Sequence, residues 1–95
     1  MEINYTNDAV ASLTALVNFI ERHNTKGAGL RWLTKFEVYL QANLKHHSVI
    51  KPCNNLTFQQ LGLKCIYYND WLIAFSIEKN AVTIEALLHK SRIKD

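Results

Sequence analysis

Apolar positions alternate with a spacing of two in the last third of this chain and recur at helical spacing in its first half. Between Lys64 and Arg92, runs rich in aromatic and β-branched residues are separated by Asn69-Asp70 and by Lys79-Asn80. Two-residue polar breaks, with Asn and Asp that tolerate positive φ, are the spacing of tight hairpin turns, so three short antiparallel strands are predicted. Pairing across the second turn sets Trp71 opposite Leu88, Ile73 opposite Ala86, Phe75 opposite Ile84 and Ile77 opposite Val82, giving one wholly apolar face. Ser76 with Thr83 and Ala74 with Glu85 make the other face. A one-residue slip would send the apolar set to the opposite side, so pattern and turn agree on the register. Across the first turn the same logic puts Tyr68, Ile66 and Lys64 on the core face, with Lys64 at the open end of the sheet.

Upstream, Glu2 to Tyr5 alternates polar and apolar, and Thr6-Asn7-Asp8 then offers helix-capping side chains. From Asp8 to about His23, Val10, Leu13, Val17 and Ile20 lie on one helical stripe, which Leu16 and Phe19 widen. Asn24-Thr25-Lys26-Gly27 breaks this helix. A second helix runs from near Ala28 to about His46, with Leu33, Phe36, Leu40 and Leu44 in one stripe and Trp32 and Tyr39 flanking it. Two helices joined by a short polar break form an antiparallel hairpin. Between Ser48 and Gly62 the pattern dissolves around Pro52 and Asn54-Asn55, leaving Leu56, Phe58 and Leu61 to lead into the next strand. The predicted fold is α+β: an antiparallel β-sheet with an N-terminal helical hairpin packed on one face, in the order β-α-α-β-β-β, the first strand at the sheet's edge.

The chain's 95 residues make a single domain, 1–95, with no repeat, low-complexity tract or dividing linker. An apolar fraction of 48% with 20% charged residues fits a soluble globular protein, and no window approaches a membrane span. Because the opening Met-Glu-Ile-Asn-Tyr lacks the basic start and apolar run of a signal peptide, a cytoplasmic protein is expected, with no membrane partner. Cys53 and Cys65 stand twelve apart with no CxxC, which in a reducing compartment predicts free thiols. Eleven Lys and Arg against eight Asp and Glu give a formal charge of +3, mildly basic and compatible with an acidic or phosphate-bearing partner. His46-His47, with Lys45 and Lys51, forms a basic spot. Adjacent histidines on a helix do not readily face one metal, so neither metal nor cofactor is expected.

Over nearly its whole length the pattern resembles the RelE/ParE family of toxins from bacterial toxin-antitoxin systems. The opening Ile3-Asn-Tyr5-Thr-Asn-Asp-Ala9, followed by Leu13 and Phe19-Ile20, is similar to the family's first strand and helix. Gly62-Leu-Lys64, Trp71-Leu-Ile-Ala-Phe75, Val82-Thr-Ile84 and Leu88-His89-Lys90-Ser91-Arg92 resemble the ParE-like ending, in which a strand leads into a His-x-x-Arg-Asp tail. Lys64 stands where the family usually has Arg, and Ile93 where the tail's Asp is usual. The resemblance implies a plasmid-stabilisation toxin, silenced by a cognate antitoxin, that arrests growth by binding DNA gyrase. The alternatives are a ribosome-dependent, metal-independent endoribonuclease that cuts messenger RNA, as in RelE-like members, or a non-toxic member that retains only partner binding.

Cleavage of RNA by its own 2′-hydroxyl needs a proton acceptor, a proton donor and cations on the phosphate. Under the nuclease alternative these fall to Lys64, His89 and Arg92, with Lys90 nearby and Glu85 on the same side of the last strand as His89. His89 has a suitable intrinsic pKa, although a strand-closing hydrogen-bonding role is the plainer reading. Lys64 grips phosphate less firmly than a bidentate Arg. Tyr67 and Tyr68 on the neighbouring strand suit core packing or an edge position. Under the gyrase reading, Lys90, Arg92 and Lys94 are the target-binding residues, the alternative being a solvated terminus. Trp32, Phe36 and Tyr39, or the wide stripe of the first helix, are the candidate antitoxin-binding surface, since aromatic anchors dominate such interfaces.

Overall fold

A computed structural model describes residues 1–92. Strand β1 (Glu2–Tyr5) leads into helix α1 (Asn7–Arg22), followed by α2 (Ala28–Leu44), the short helix α3 (Leu56–Gln60), and strands β2 (Lys64–Tyr68), β3 (Trp71–Glu78) and β4 (Ala81–His89). Short 3-10 turns at His47–Val49 and Lys90–Arg92 follow α2 and β4. The α+β class is that expected from the sequence, and the order matches apart from the added helix α3. The four strands form one sheet in the order β1-β4-β3-β2, with β1 at the edge.

The direction of β1 differs from expectation. It runs parallel to β4, so the sheet is mixed rather than antiparallel. The helical pair explains this: α1 passes over the far end of β4, where Ser12, Leu16 and Phe19 approach Leu87 and His89. The chain then comes back along α2 to the near end, where Lys64 Nζ donates to the His47 carbonyl at 2.8 Å. Strand β2 therefore sets off in the direction of β1, and two hairpin turns give β4 that direction too.

Turn chemistry holds the two hairpins as predicted. Asn69 and Lys79 sit at φ 53° and 56°, the left-handed region. The β2–β3 register runs from Lys64 opposite Phe75 to Tyr68 opposite Trp71, as the sequence pattern sets it. In the β3–β4 hairpin, Ile77 opposite Val82, Ser76 opposite Thr83 and Phe75 opposite Ile84 also hold, but the register shifts beyond Phe75. Ala74 pairs with Ala86 instead of Glu85, Ile73 with Leu87 instead of Ala86, and Trp71 with His89 instead of Leu88. Glu85 is the extra residue of a β-bulge. The β1–α1 turn packs against it: Thr6 N–H donates to the Ile84 carbonyl (3.0 Å) and Thr6 Oγ1 to the Glu85 carbonyl (3.2 Å). The same hydroxyl caps α1 by accepting the Ala9 N–H at 3.1 Å. One side chain thus fixes the helix start and the bulge.

Two features close the helical hairpin. Gly29 is buried where a Cβ would lie 2.6 Å from the Val17 carbonyl oxygen, so α1 and α2 approach at a distance only glycine permits. No side chain caps α2 from its own N-cap position, Gly27, whose φ is 88°. The Glu21 carboxylate does so from α1, accepting the N–H groups of Gly27 (2.8 Å) and Gly29 (2.9 Å). These two donors, with Arg31 nearby, hold its pKa below the ordinary carboxylate range.

Phe36, Leu40 and Leu44 of α2 and Ala9 of α1 pack on Ile73, Phe75, Val82, Ile84 and Leu87, which is the main core on the helix-bearing face. The opposite face carries a smaller cluster, Cys53, Leu63 and Ala74, with Phe58, Cys65 and Ala86 against it. Here one expectation is sharpened and another corrected. Leu56, Phe58 and Leu61 lead into β2 from a short helix and do not themselves begin it, since Asn55 Oδ1 accepts the Phe58 N–H at 3.1 Å and initiates α3. Cys53 and Cys65 are not free thiols but a disulfide, with Cα atoms 4.8 Å apart. Pro52 pairs with Lys64 and the Cys53 N–H donates to the Leu63 carbonyl at 3.2 Å, so the chain entering α3 lies alongside the strand leaving it. That places the two cysteines, twelve apart in sequence, side by side.

Candidate functional site

The bulge decides where His89 points. By restoring one residue of phase it pairs His89 with Trp71, whose indole meets the imidazole edge-on at 5.2 Å between ring centroids. Glu85 keeps its expected place on the face of Ser76, whose Oγ donates to its carboxylate at 2.8 Å, whereas His89, expected on that same side, is carried to the helix-bearing face. His89 is therefore without the neighbouring carboxylate that the unbroken alternation predicts. Its Nδ1 accepts the Ser91 N–H at 3.2 Å and lies 2.9 Å from Ser91 Oγ.

His89 and Trp71 form one wall of an open groove of about 450 Å³, with Leu87, Leu88 and Ser91 beside them and Ser12, Ala15, Leu16 and Phe19 of α1 opposite. Phe19, counted in the packing stripe from sequence, is 54% exposed at its rim. Val10 is likewise exposed rather than packed. The α1 stripe is wider than the sheet face beneath it, and that excess was the sequence signal for the groove.

Lys64 lies elsewhere. It is level with Phe75 on edge strand β2, while His89 is level with Trp71 on β4, so four residue steps and two strand spacings separate their backbones, roughly 16 Å. Its amine is engaged by the His47 carbonyl. The residues assigned to a nuclease are therefore not drawn into one centre by the sheet. Arg92 ends the 3-10 turn, but its side chain, together with Ile93 and Lys94, lies outside the described residues. Lys90 donates its N–H to the Asp70 carbonyl at 2.7 Å, and its amine pairs with the Asp70 carboxylate at 3.3 Å. Both charges are well exposed, so the pair contributes under about 1 kcal/mol and leaves Lys90 free to exchange partners.

Trp32, Phe36 and Tyr39 come together around the edge strand, Trp32 and Tyr39 half-buried. They surround Tyr68, with ring centroids at 5.8, 5.5 and 4.8 Å from its own, and Phe36 is fully buried. The Tyr39 hydroxyl donates to the Tyr67 carbonyl on the edge strand. Burial, and then the neighbouring Tyr68, raise its pKa. This aromatic group fastens α2 to β2. The exposed apolar side chains of the helical pair are instead Val10 and Phe19 on α1 and Leu30 and Val38 on α2.

No group of three or more metal-ligating side chains is present among the described residues, and no helix there is long and apolar enough to cross a membrane. Compared with models of known protein families, the chain matches none, and no curated protein matches it.

Proposed function

We propose that the chain is the toxin of a bacterial type II toxin-antitoxin pair of the RelE/ParE kind, acting by binding DNA gyrase and neutralised by a cognate antitoxin. The observation that carries this reading is the architecture: a helical pair over one face of a four-stranded sheet, in the order β-α-α-β-β-β once the short α3 is set aside, with the last strand running directly into the basic segment that begins at Lys90. Binding is favoured over hydrolysis because Lys64 and His89 stand on different strands roughly 16 Å apart, and a general acid and base must reach the same phosphate. The antitoxin's apolar contacts fall on the groove between α1 and the end of β4, with Phe19 at its rim, rather than on Trp32, Phe36 and Tyr39.

A cytoplasmic location belongs to the same proposal. The Cys53–Cys65 disulfide pulls against it, since such bonds are rare in a reducing compartment. The test is to induce the chain alone in bacteria and follow thymidine and methionine incorporation as growth slows. Gyrase poisoning predicts that thymidine incorporation fails first and that removing residues 90–95 restores growth, while His89→Gln leaves toxicity in place. Methionine incorporation failing first would move the ribosome-dependent nuclease ahead. Continued growth with folded protein would leave a binding role alone.

A further inference from the structure

We infer that Cys53–Cys65 is a reversible thiol–disulfide site, and that its redox state opens and closes the segment 54–62 over the second face of the sheet. The bond has a position suited to attack. A cleft of about 150 Å³, lined by Lys51, Asn54, Tyr67 and Leu72, opens on both cysteines. Cys53 is buried at 1% exposure whereas Cys65 is only partly buried, so an incoming thiolate meets Cys65 first.

The reductant is a dithiol. Its thiolate attacks Cys65 Sγ, the Sγ–Sγ bond breaks, and the electron pair leaves on Cys53 Sγ, which takes up a proton. The reductant's second thiolate then displaces Cys65 from the mixed disulfide and leaves as a disulfide itself. Two electrons and two protons pass to the cysteine pair, and a disulfide oxidant such as oxidised glutathione reverses the exchange.

What the bond holds makes it more than a staple. Of residues 54–62 only Asn55 and Phe58 are partly buried, and Leu56 and Leu61 are 65% and 67% exposed. Within the segment, Gly62 N–H donates to the Gln59 carbonyl and Leu63 N–H to that of Phe58. Its apolar contact with the sheet is the small cluster around Cys53, Leu63 and Ala74, with Phe58 and Ala86, and its ends are also tied by the Cys53 N–H to the Leu63 carbonyl and by the Pro52–Lys64 bridge. The main core, on the other face, shares none of these residues. Breaking the disulfide therefore loosens the cover over Ala74 and Ala86 and leaves the helix-bearing face packed. This inference stands apart from the gyrase reading, and it resolves the conflict over compartment: the cover is loose in a reducing cytoplasm and clasped under oxidation.

Amide hydrogen exchange of the full chain, oxidised in air and then treated with dithiothreitol, tests it. Reduction is expected to lower the protection of the Phe58, Gly62 and Leu63 amides by roughly tenfold to a hundredfold more than that of Leu40, Ile73 and Ile84. Oxidised glutathione should restore it. The doubly substituted Cys53→Ala, Cys65→Ala chain should show the reduced pattern with or without dithiothreitol, and if it fails to fold the wild-type comparison decides alone. Three outcomes overturn the inference: alkylation of both cysteines in the air-oxidised chain, equal loss of protection in the segment and the core, or complete unfolding of the wild-type chain on reduction.

Discussion

The two faces of the sheet are covered by different physics. On one, two helices of sixteen and seventeen residues bring a continuous apolar core whose largest members, Phe36 and Phe75, are fully buried. On the other, a five-residue helix and its flanking loop rest on a few small side chains and one covalent bond. The first cover is held by buried area distributed over many residues, the second by a constraint at one point. A distributed cover loses stability in proportion to what is cut from it, whereas a point constraint is lost all at once.

The largest expected effect tests the first cover. Phe36→Ala removes a fully buried ring that stacks on Trp32 at 5.1 Å and meets Tyr68. It should cost about 3–5 kcal/mol in urea denaturation, enough to unfold much of a domain this small. A cost under about 1 kcal/mol would mean that α2 is not the main cover.

Next comes the second cover. Replacing both cysteines by alanine frees a loop with a sequence separation of 12 and should lower stability by about 3 kcal/mol on chain-entropy grounds. The two faces differ in how the loss appears: Phe36→Ala should weaken the whole domain evenly, whereas the cysteine change should add to its global loss a further loss of protection confined to residues 54–62. Gly29→Ala ranks third, at about 1–3 kcal/mol, because a methyl group 2.6 Å from the Val17 carbonyl forces the helices apart. Equal denaturation midpoints for this variant and the wild type would show that the helical pair packs less closely than the structure has it.

How legible each face was in the sequence follows the same division. Period-two alternation and two-residue turns gave both hairpins, the whole β2–β3 register and the near half of β3–β4, and helical spacing gave Phe36, Leu40 and Leu44 as core. These are repeated signals, each position supporting the next. The Glu85 bulge interrupts such a signal once, and its cause, the Thr6 hydroxyl on the Glu85 carbonyl, lies 79 residues away in sequence. The parallel direction of β1 depends on where α2 ends in space, which no local pattern carries. The second cover contains no periodic run: Asn55, which caps α3, read only as part of a break, and the cysteine pairing depends on the Pro52–Lys64 bridge, which no local pattern carries. For the candidate site, the aromatic residues of α2 were identified as a group, and composition alone does not say that Phe36 is buried while Trp32 and Tyr39 lie half-buried against β2.

Glu21 gives the smallest and most specific test, since it belongs to the first cover yet acts at one point like the second. Its carboxylate takes the Gly27 and Gly29 N–H groups that start α2, which lowers its folded-state pKa below the ordinary value. A carboxyl group depressed on folding adds stability above its unfolded pKa, near ~4.3, and that contribution is lost as pH falls through the lower folded value. Comparing thermal unfolding of the wild type and Glu21→Gln from neutral to strongly acidic pH isolates it from the other carboxylates. The wild type should be the more stable at neutral pH, and the gap should close on acidification below the ordinary carboxylate range. A gap that stays constant with pH would mean that Glu21 acts by shape alone, and a gap that widens would mean that its charge opposes the fold.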